Sequence, residues 1–560
     1  MNRRSKQARR PPDDALWFLP LGGSGEIGMN FNLYGTAGQW LIVDCGVTFG
    51  DETTPGIDLI TPDISFIIEH REFLAGLVVT HGHEDHIGAI SYLWPQLKCP
   101  IYATPFTATL IRNKLAYQNL DTAPVCLYEK APGDRFSIGA FDIEFIPVTH
   151  SVPESQMLVL RTACGTVLHT GDWKFDPDPI IGNTTAVQKI KALGAEGVMA
   201  VVADSTNAQV EGHSGSEREA QDEFRNLFPT IKQRIVVTCF ASNVARIKSI
   251  ALAAKAAGRY VTLVGRSLWR NAEAAHACGY LPEFDEFLSE NEAMLSPRDK
   301  IVMITTGCQG EARAALARIA NDDHPEIELD AGDTVIFSSR NIPGNERAIA
   351  RLQNNLIALG LSIITPDDAP VHVSGHAAKD EMTQLYTWTK PALLLPVHGE
   401  ARHQSEHAAL AKRAAVKDVM IPQNGQIIRL GPGIHEVVAE VPAGRWGLDG
   451  TVLRSLDADV AKNRKKLSLN GLAAVTIVMN AKGQAVRDPQ ISLMGLVDES
   501  ALNALQDKVS DALLDAIEAM PKSARSDDAA LRHAVAMAVR RTIKEQIGKK
   551  PVTDVHVVRI

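Results

Sequence analysis

A chain of 560 residues is too long for one ordinary core and leads us to expect roughly two to four domains. Hydrophobic residues make up 45 % and charged residues 22 %, which excludes the apolar-depleted composition of a disordered chain. A formal net charge of -9 excludes any global signal for nucleic-acid binding, so a polyanion would have to be held by a local basic cleft or by a metal.

The leader "MNRRSKQARRPPDD", residues 1–14, reads as a disordered basic tail. It lacks the apolar core of a signal peptide, and no later run reaches the ~18 apolar residues of a membrane span. Seven cysteines, scattered and never spaced as CxxC, fit a reducing compartment and argue against a thiolate zinc site. The expectation is a cytoplasmic protein with no membrane partner.

From 15 to 210 the chain reads as short strands between turns: "WFLPLGG", "MNFNLYG", "WLIVDCG", "GLVVTHG", "PIYATP", "FDIEFIPVTHS", "MLVLRT", "GTVLHTGD" and "GVMAVVADST". Several end in His or Asp. Strands with few long helices between them predict a layered α/β sandwich. From 211 to 368 the texture alternates. "RIVVTCF" precedes the helical "ASNVARIKSIALAAKAAG", "YVTLVG" precedes "RSLWRNAEAAHACG", and "KIVMITTG" precedes "CQGEARAALARIA", read as helix. That pattern predicts a parallel sheet with crossover helices. Strand-and-site texture returns over 369–445, so the parallel domain is expected as an insertion. The polar stretch at 446–468, with its KNRKK cluster, reads as a linker. Residues 469–560 read as a small α/β domain of three strands and two helices.

In "THGHEDHIGA", His81, His83, Asp85 and His86 share one tight loop after an apolar strand. Four such groups buried without a metal would be expensive to desolvate, and His/Asp ligation suits Zn(II) first and Mn(II) second. One loop cannot complete two coordination spheres. His150 in "FIPVTHSVPES", Asp172 in "TVLHTGDWKF" and His398 in "LLLPVHGE" stand at other strand ends as the further ligands. Glu84, between two ligands, is expected to orient a ligand histidine.

These motifs resemble the metallo-β-lactamase superfamily and, within it, the β-CASP nucleases. The order of "LGGSGEIGMN", "HGHEDHIG", "THSVPES", "TGDWKFD", "DSTN", "GRSLWRN", "IPGNE", "HVSGHA" and "PVHGE" resembles the ribonuclease J branch over nearly the whole chain. The resemblance implies an αββα sandwich with an inserted β-CASP domain. It also implies two Zn(II) per subunit, with Mn(II) an alternative in the cell: His81, His83 and His150 on one ion, Asp85, His86 and His398 on the other, and Asp172 bridging.

Two metals side by side suit phosphodiester hydrolysis, but the same pair could open a lactam or thioester, so the insertion must choose the substrate. Asp204 in "ADSTN" and His376 in "VHVSGHA" resemble β-CASP motifs, and a histidine at 398 resembles the RNA-acting members. His376, Asp204 and Asp172 are the expected catalytic residues, His376 as general acid oriented by Asp204, with a histidine that binds phosphate and transfers no proton as the alternative. His372, Val373, Ser374, Gly375 and His376 are expected to bind substrate, with backbone N–H groups cradling a phosphate. Ser339, Arg340 and Asn345 of "SSRNIPGNE" are expected to touch the nucleotide chain.

The resemblance further implies 5' to 3' degradation of single-stranded RNA with a 5' monophosphate, internal cutting, and work in mRNA decay and ribosomal RNA maturation. It implies a homodimer or homotetramer and association with an RNA-decay complex or the ribosome. The rival readings are a DNA nuclease, a lactamase- or glyoxalase-type small-molecule hydrolase, and an inactive scaffold.

Overall fold

The structure, a computed structural model, describes residues 10–51, 53–120, 125–342 and 344–560. The chain forms two compact units, Met1–Thr48 with Thr61–Gly444 and Phe49–Ile60 with Arg445–Ile560.

In the first unit an eight-stranded and a seven-stranded sheet share one dry core. Phe18, Tyr34, Val43 and Val78 of the first interleave with Phe145, Leu160, Val202 and Leu395 of the second, the alternation expected where two sheet faces pack. On the outer face of the seven-stranded sheet, helices Val187–Glu196, Lys379–Thr389 and Ala401–Arg413 bury Leu193, Leu385, Tyr386 and Leu410 against Leu168, Val201 and Leu394. Helix Pro105–Tyr117 packs on strands Ile101–Ala103 and Leu127–Glu129 of the other sheet. This is the αββα layering expected from the short-strand texture.

Strands Ala200–Asp204 and Leu393–Val397 are parallel neighbours, with Asp204 opposite Val397. The chain leaves the sandwich after the first and is back on it with helix Lys379–Thr389, just before the second, so the segment between that strand and that helix is an insertion hung on one strand pair. The insertion carries five parallel strands, in spatial order Tyr260–Val264, Ile301–Thr305, Ile235–Thr238, Thr334–Phe337 and Ser362–Ile364. Helices Val244–Ala256, Arg266–Ala277 and Glu346–Ala358 cross between them. The central strands are buried on both faces, as a parallel sheet covered by helices requires.

Three local expectations need correction. Only Ala315–Ala320 of "CQGEARAALARIA" is helical. Gly307 and Gly310 take φ of +112° and +75°, which right-handed helix excludes, and residues 308–314 instead form a loop around the buried Gln309. Of the leader, residues 1–9 lie outside the described residues, but residues 11 and 12 are docked: their carbonyls accept the N–H groups of Gly38 and Ala37 at 3.1 and 2.9 Å, and Pro11 is buried.

The third correction is the linker. In the second unit, residues 446–468 fall in a hairpin, Arg445–Asp449 with Val452–Ser455, and a helix, Asp459–Asn470. Polar composition there marks solvent-facing regular structure. Beyond it a three-stranded sheet, ordered Gln490–Met494, Leu472–Met479, Val552–Arg559, buries Val475, Ile477 and Val555 against Val509 and Leu513 of helix Glu499–Ala519 and Val535 and Val539 of helix Asp528–Ile547.

Candidate metal centre

Strand Leu74–Val78 delivers the chain into the histidine loop, and His83 precedes the one-turn helix Glu84–Ile87. His150 follows strand Phe141–Pro147, Asp172 follows Gly165–His169, and His398 follows Leu393–Val397. All seven expected ligands meet at one end of the sandwich. His81, His83, His150 and Asp172 offer atoms mutually within 4.8 Å, as do Asp85, His86, Asp172 and His398.

His83 Nδ1 lies 3.1 Å from both His81 Nε2 and His150 Nε2, near the ~3.4 Å separation of nitrogens sharing one tetrahedral ion at ~2.05 Å. Asp172 Oδ2 stands 3.6 Å from His81 Nε2, 3.7 Å from His150 Nε2, 3.3 Å from His86 Nε2 and 3.5 Å from His398 Nε2, so one carboxylate faces both groups. Its other oxygen, Oδ1, is buried with no hydrogen-bond partner. A buried, unsatisfied carboxylate oxygen amid five imidazoles fits a cation and fits little else.

The opposite ring nitrogens show which tautomers the site favours. Thr80 donates its N–H to Asp44 Oδ1 at 2.8 Å and its hydroxyl to Asp44 Oδ2 at 2.9 Å. That hydroxyl must therefore accept from His81 Nδ1 at 3.0 Å. His86 Nδ1 donates to Asp44 Oδ2 at 2.7 Å and His150 Nδ1 to the Gly375 carbonyl at 2.6 Å, while His83 Nε2 lies 3.3 Å from Ser151 Oγ. Three imidazoles, those of His81, His86 and His150, are thus turned with a lone pair toward the cluster. His398 differs. Its Nδ1 faces the N–H of Gly28 at 3.4 Å and the Asn30 amide at 3.0 Å, and the same amide lies 3.1 Å from His86 Nε2.

Burial holds His81 and His150 well below the ordinary histidine range and His83 down at about 4, the neutral form that a metal needs. Burial acts the same way on His86, but the charges of Asp172, Asp85 and Asp44 outweigh it and raise the group.

Asp204 ends its strand 2.8 Å from His376, Oδ2 to Nδ1, while its Oδ1 accepts the N–H and hydroxyl of Thr206 at 2.8 and 2.7 Å. The carboxylate is thereby fixed with one oxygen left for the imidazole. Burial pulls His376 down, but the charge and hydrogen bond of Asp204, helped by Asp172 and Asp85, carry it up to about 9.

The 371–376 loop differs from a bare N–H cradle. Ser374 Oγ accepts the His376 N–H at 3.2 Å and the Asn207 amide at 2.8 Å, so one cradle donor is turned onto its own loop. At Gly375 a Cβ would stand 2.9 Å from His150 Cε1 and Nδ1. Glycine is needed there for the backbone to lie against a ligand histidine.

Val373 packs on Gly215. His372 meets Arg246 Nη1 at 3.4 Å, and burial followed by that positive charge holds it well below the ordinary range. Arg246, fully buried, pairs with Glu217 through two hydrogen bonds of 3.0 and 2.9 Å. It also donates to the carbonyls of Ser338 and Val371, each at 3.1 Å, and to the Ser338 hydroxyl. Residues 338–342 lie beyond strand Thr334–Phe337 and, with Asn345, are organised by Gln309, which reaches Ser339 Oγ at 3.4 Å, the Arg340 carbonyl at 2.9 Å and the Asn345 amide at 3.4 Å. The Arg340 side chain is exposed.

Glu84 does not orient a ligand histidine. Both its oxygens bind Lys114 Nζ at 2.6 Å, because the first turn of its helix points the side chain outward. The sequence reading missed Asp44, Thr80, Ser151, Asn207, Arg246 and Gln309. Asp44 alone carried a signal, an aspartate closing the apolar run "WLIV" as Asp172 and Asp204 close theirs.

Comparison with known proteins agrees along the chain. Residues 39–206 match the beta-lactamase superfamily domain, 232–356 the ribonuclease J beta-CASP domain, 369–422 the Zn-dependent metallo-hydrolase RNA specificity domain and 459–560 the ribonuclease J C-terminal domain. Ribonuclease J of Sinorhizobium meliloti is 45 % identical over 98 % of both chains. Ribonuclease J of Thermus thermophilus is 35 % identical over 96 % of this chain and 94 % of its own. A crystal structure of a protein of unknown function from Enterococcus faecalis V583 covers 74 % of this chain and 100 % of its own, at TM-score 0.54 and 15 % identity, a likeness of fold alone.

Proposed function

The chain belongs to the ribonuclease J family of metal-dependent ribonucleases, and from that premise we propose that it removes nucleotides from single-stranded RNA in the 5' to 3' direction, preferring a 5' monophosphate, and also cuts internally. The observation that carries this reading is the placement of the Asp204–His376 pair against the ligand cluster, with His376 Nδ1 4.0 Å from Asp172 Oδ2.

His81, His83 and His150 would hold one divalent ion and Asp85, His86 and His398 a second, with Asp172 shared; Zn(II) suits the donor set and Mn(II) is the alternative. Bound ions would supply an acidified water and charge neutralisation for phosphodiester hydrolysis. The chain's own residues do the rest. Asp204 anchors the His376 Nδ1 proton, so the proton on Nε2 is the one to pass to the departing 3' oxygen. The 372–376 loop, braced by Asn207, positions the phosphate, and Arg340 and Asn345 contact the nucleotides beyond it, whereas Ser339, expected among them, is buried against Gln309 and the Cys308 carbonyl. Action in the cytoplasm fits the free cysteines, and no helix among the described residues is long and apolar enough to cross a membrane. Assembly as a homodimer or homotetramer, a decay complex or ribosome association, and roles in mRNA decay and ribosomal RNA maturation follow the same family reading.

The test is digestion of one RNA bearing 5' monophosphate, triphosphate or hydroxyl ends, alongside metal analysis. Mononucleotide release confined to the monophosphate end supports the reading; equal internal cutting of all three overturns the directional part.

A further inference from the structure

Helix Asp459–Asn470 buries none of its side chains, and a helix that buries no face gains little from propensity alone. One anchor is clear. Arg464 places two nitrogens on the two oxygens of Asp449, each at 2.8 Å, and Arg454 reaches the same carboxylate at 3.2 Å. This single acid therefore serves two guanidinium groups.

Lys462, Lys465 and Lys466 stand at i, i+3 and i+4 and so share one face. All are exposed, and none forms an ion pair with a carboxylate among the described residues. Lys462 and Lys465 line, with Arg454, Ser455, Thr53 and Thr54, a pocket of about 220 Å³ within the second unit. An ordinary solvated helix balances its charges with i,i+4 partners; this one concentrates uncompensated positive charge on a chain whose net charge is -9.

We propose that this lysine face and the adjoining pocket bind the phosphodiester backbone of the RNA substrate, as a contact separate from the metal centre. The inference rests on the ribonuclease reading above. Charge selects the occupant: of the chemistries that proposed activity brings to the protein, a long polyanion is the one that matches a cationic face. The Ser455 hydroxyl at the pocket, which accepts from the Asp457 N–H, adds a donor for phosphate oxygens, whereas those of Thr53 and Thr54 donate to Asp51. Such a contact reads no sequence and serves only RNA long enough to reach it.

The experiment compares the full-length protein, a K462A/K465A/K466A variant and a K544A/K549A/K550A control with equal charge loss. Steady-state cleavage is measured on a long single-stranded RNA and on an oligonucleotide of a few nucleotides, across a salt series. For the first variant we expect KM on the long RNA to rise about tenfold, and the slope of log KM against log salt to fall by about 2, from ~0.7 per lost phosphate contact. Its kcat, and KM on the short RNA, should stay unchanged, and the control should match the unmodified protein. An unchanged KM and slope on the long RNA overturn the proposal while leaving the ribonuclease reading intact. An equal loss in the control overturns it as well, by assigning the effect to overall charge. Failure of the unmodified protein to cleave either RNA takes down the ribonuclease reading itself and this proposal with it.

Discussion

The ring nitrogens turned away from the cluster decide which ones face it. Asp44 does this for two histidines at once, His86 directly and His81 through Thr80, from a backbone at φ +64° that aspartate tolerates better than most residues. Asp44→Asn keeps the shape but weakens the acceptor. Equilibrium dialysis with zinc should then show affinity lowered by about 10–100-fold, and unchanged zinc content would rule out the orienting role. His376→Gln should instead keep its metals and RNA affinity while turnover falls by about 10²–10⁴-fold; a variant that retains most of its turnover would leave His376 as a phosphate contact only.

The candidate ligands were legible in the sequence because their spacing, or their place at the end of an apolar run, is unusual. Ser151 and Asn207 were not, because a serine or asparagine in a turn is ordinary and its partner lies up to 169 positions away. A buried histidine outside the cluster bears on stability. His407 Nδ1 lies 2.8 Å from Ser205 Oγ, and its Nε2 meets the Tyr386 hydroxyl; burial takes it from 6.5 to about 4. The unfolded chain therefore gains a proton at a pH where the folded one does not, so stability is lost as pH falls from about 6.5 toward 4, by up to ~1.4 kcal/mol per pH unit. Urea unfolding of a His407→Gln variant should lose about one proton from that dependence.

At the scale of elements, strand order decides what comes together. The pairing of Ala200–Asp204 with Leu393–Val397 brings Asp204 beside the strand end that carries His398, across an insertion whose own sheet was legible from alternating apolar and helical stretches. What was not legible is the fastening. Arg246 sits in a helix of the insertion yet binds the carbonyls of Ser338 and Val371, and nothing in "NVARIK" separates it from a solvent-facing arginine. Sequence patterning sees the face of a helix, while this contact depends on which loop lies opposite. Because Arg246 is fully buried, Arg246→Met strands the Glu217 charge and should cost about 3–5 kcal/mol, whereas Arg246→Met with Glu217→Leu should recover most of it. Denaturant unfolding of both variants checks this, and equal losses would mean the guanidinium acts mainly through packing. The linker reading failed at the same scale: a polar, charged stretch describes an exposed helix as well as it describes a loop.

For the whole molecule, two compact units with every candidate ligand in one of them predict two calorimetric transitions that respond differently to chelation. Removing metal with EDTA should lower the midpoint of the larger unit by several degrees, since bound ligand stabilises only the state that holds it, and leave the other in place; a common shift would mean the units unfold together. The geometry of the centre also sets an order of events during synthesis. His81 and His83 emerge early, but Gly375, which holds His150, and His398 come only after the entire parallel-sheet insertion has been made. A nascent chain therefore carries an unfinished centre until most of its length has left the ribosome.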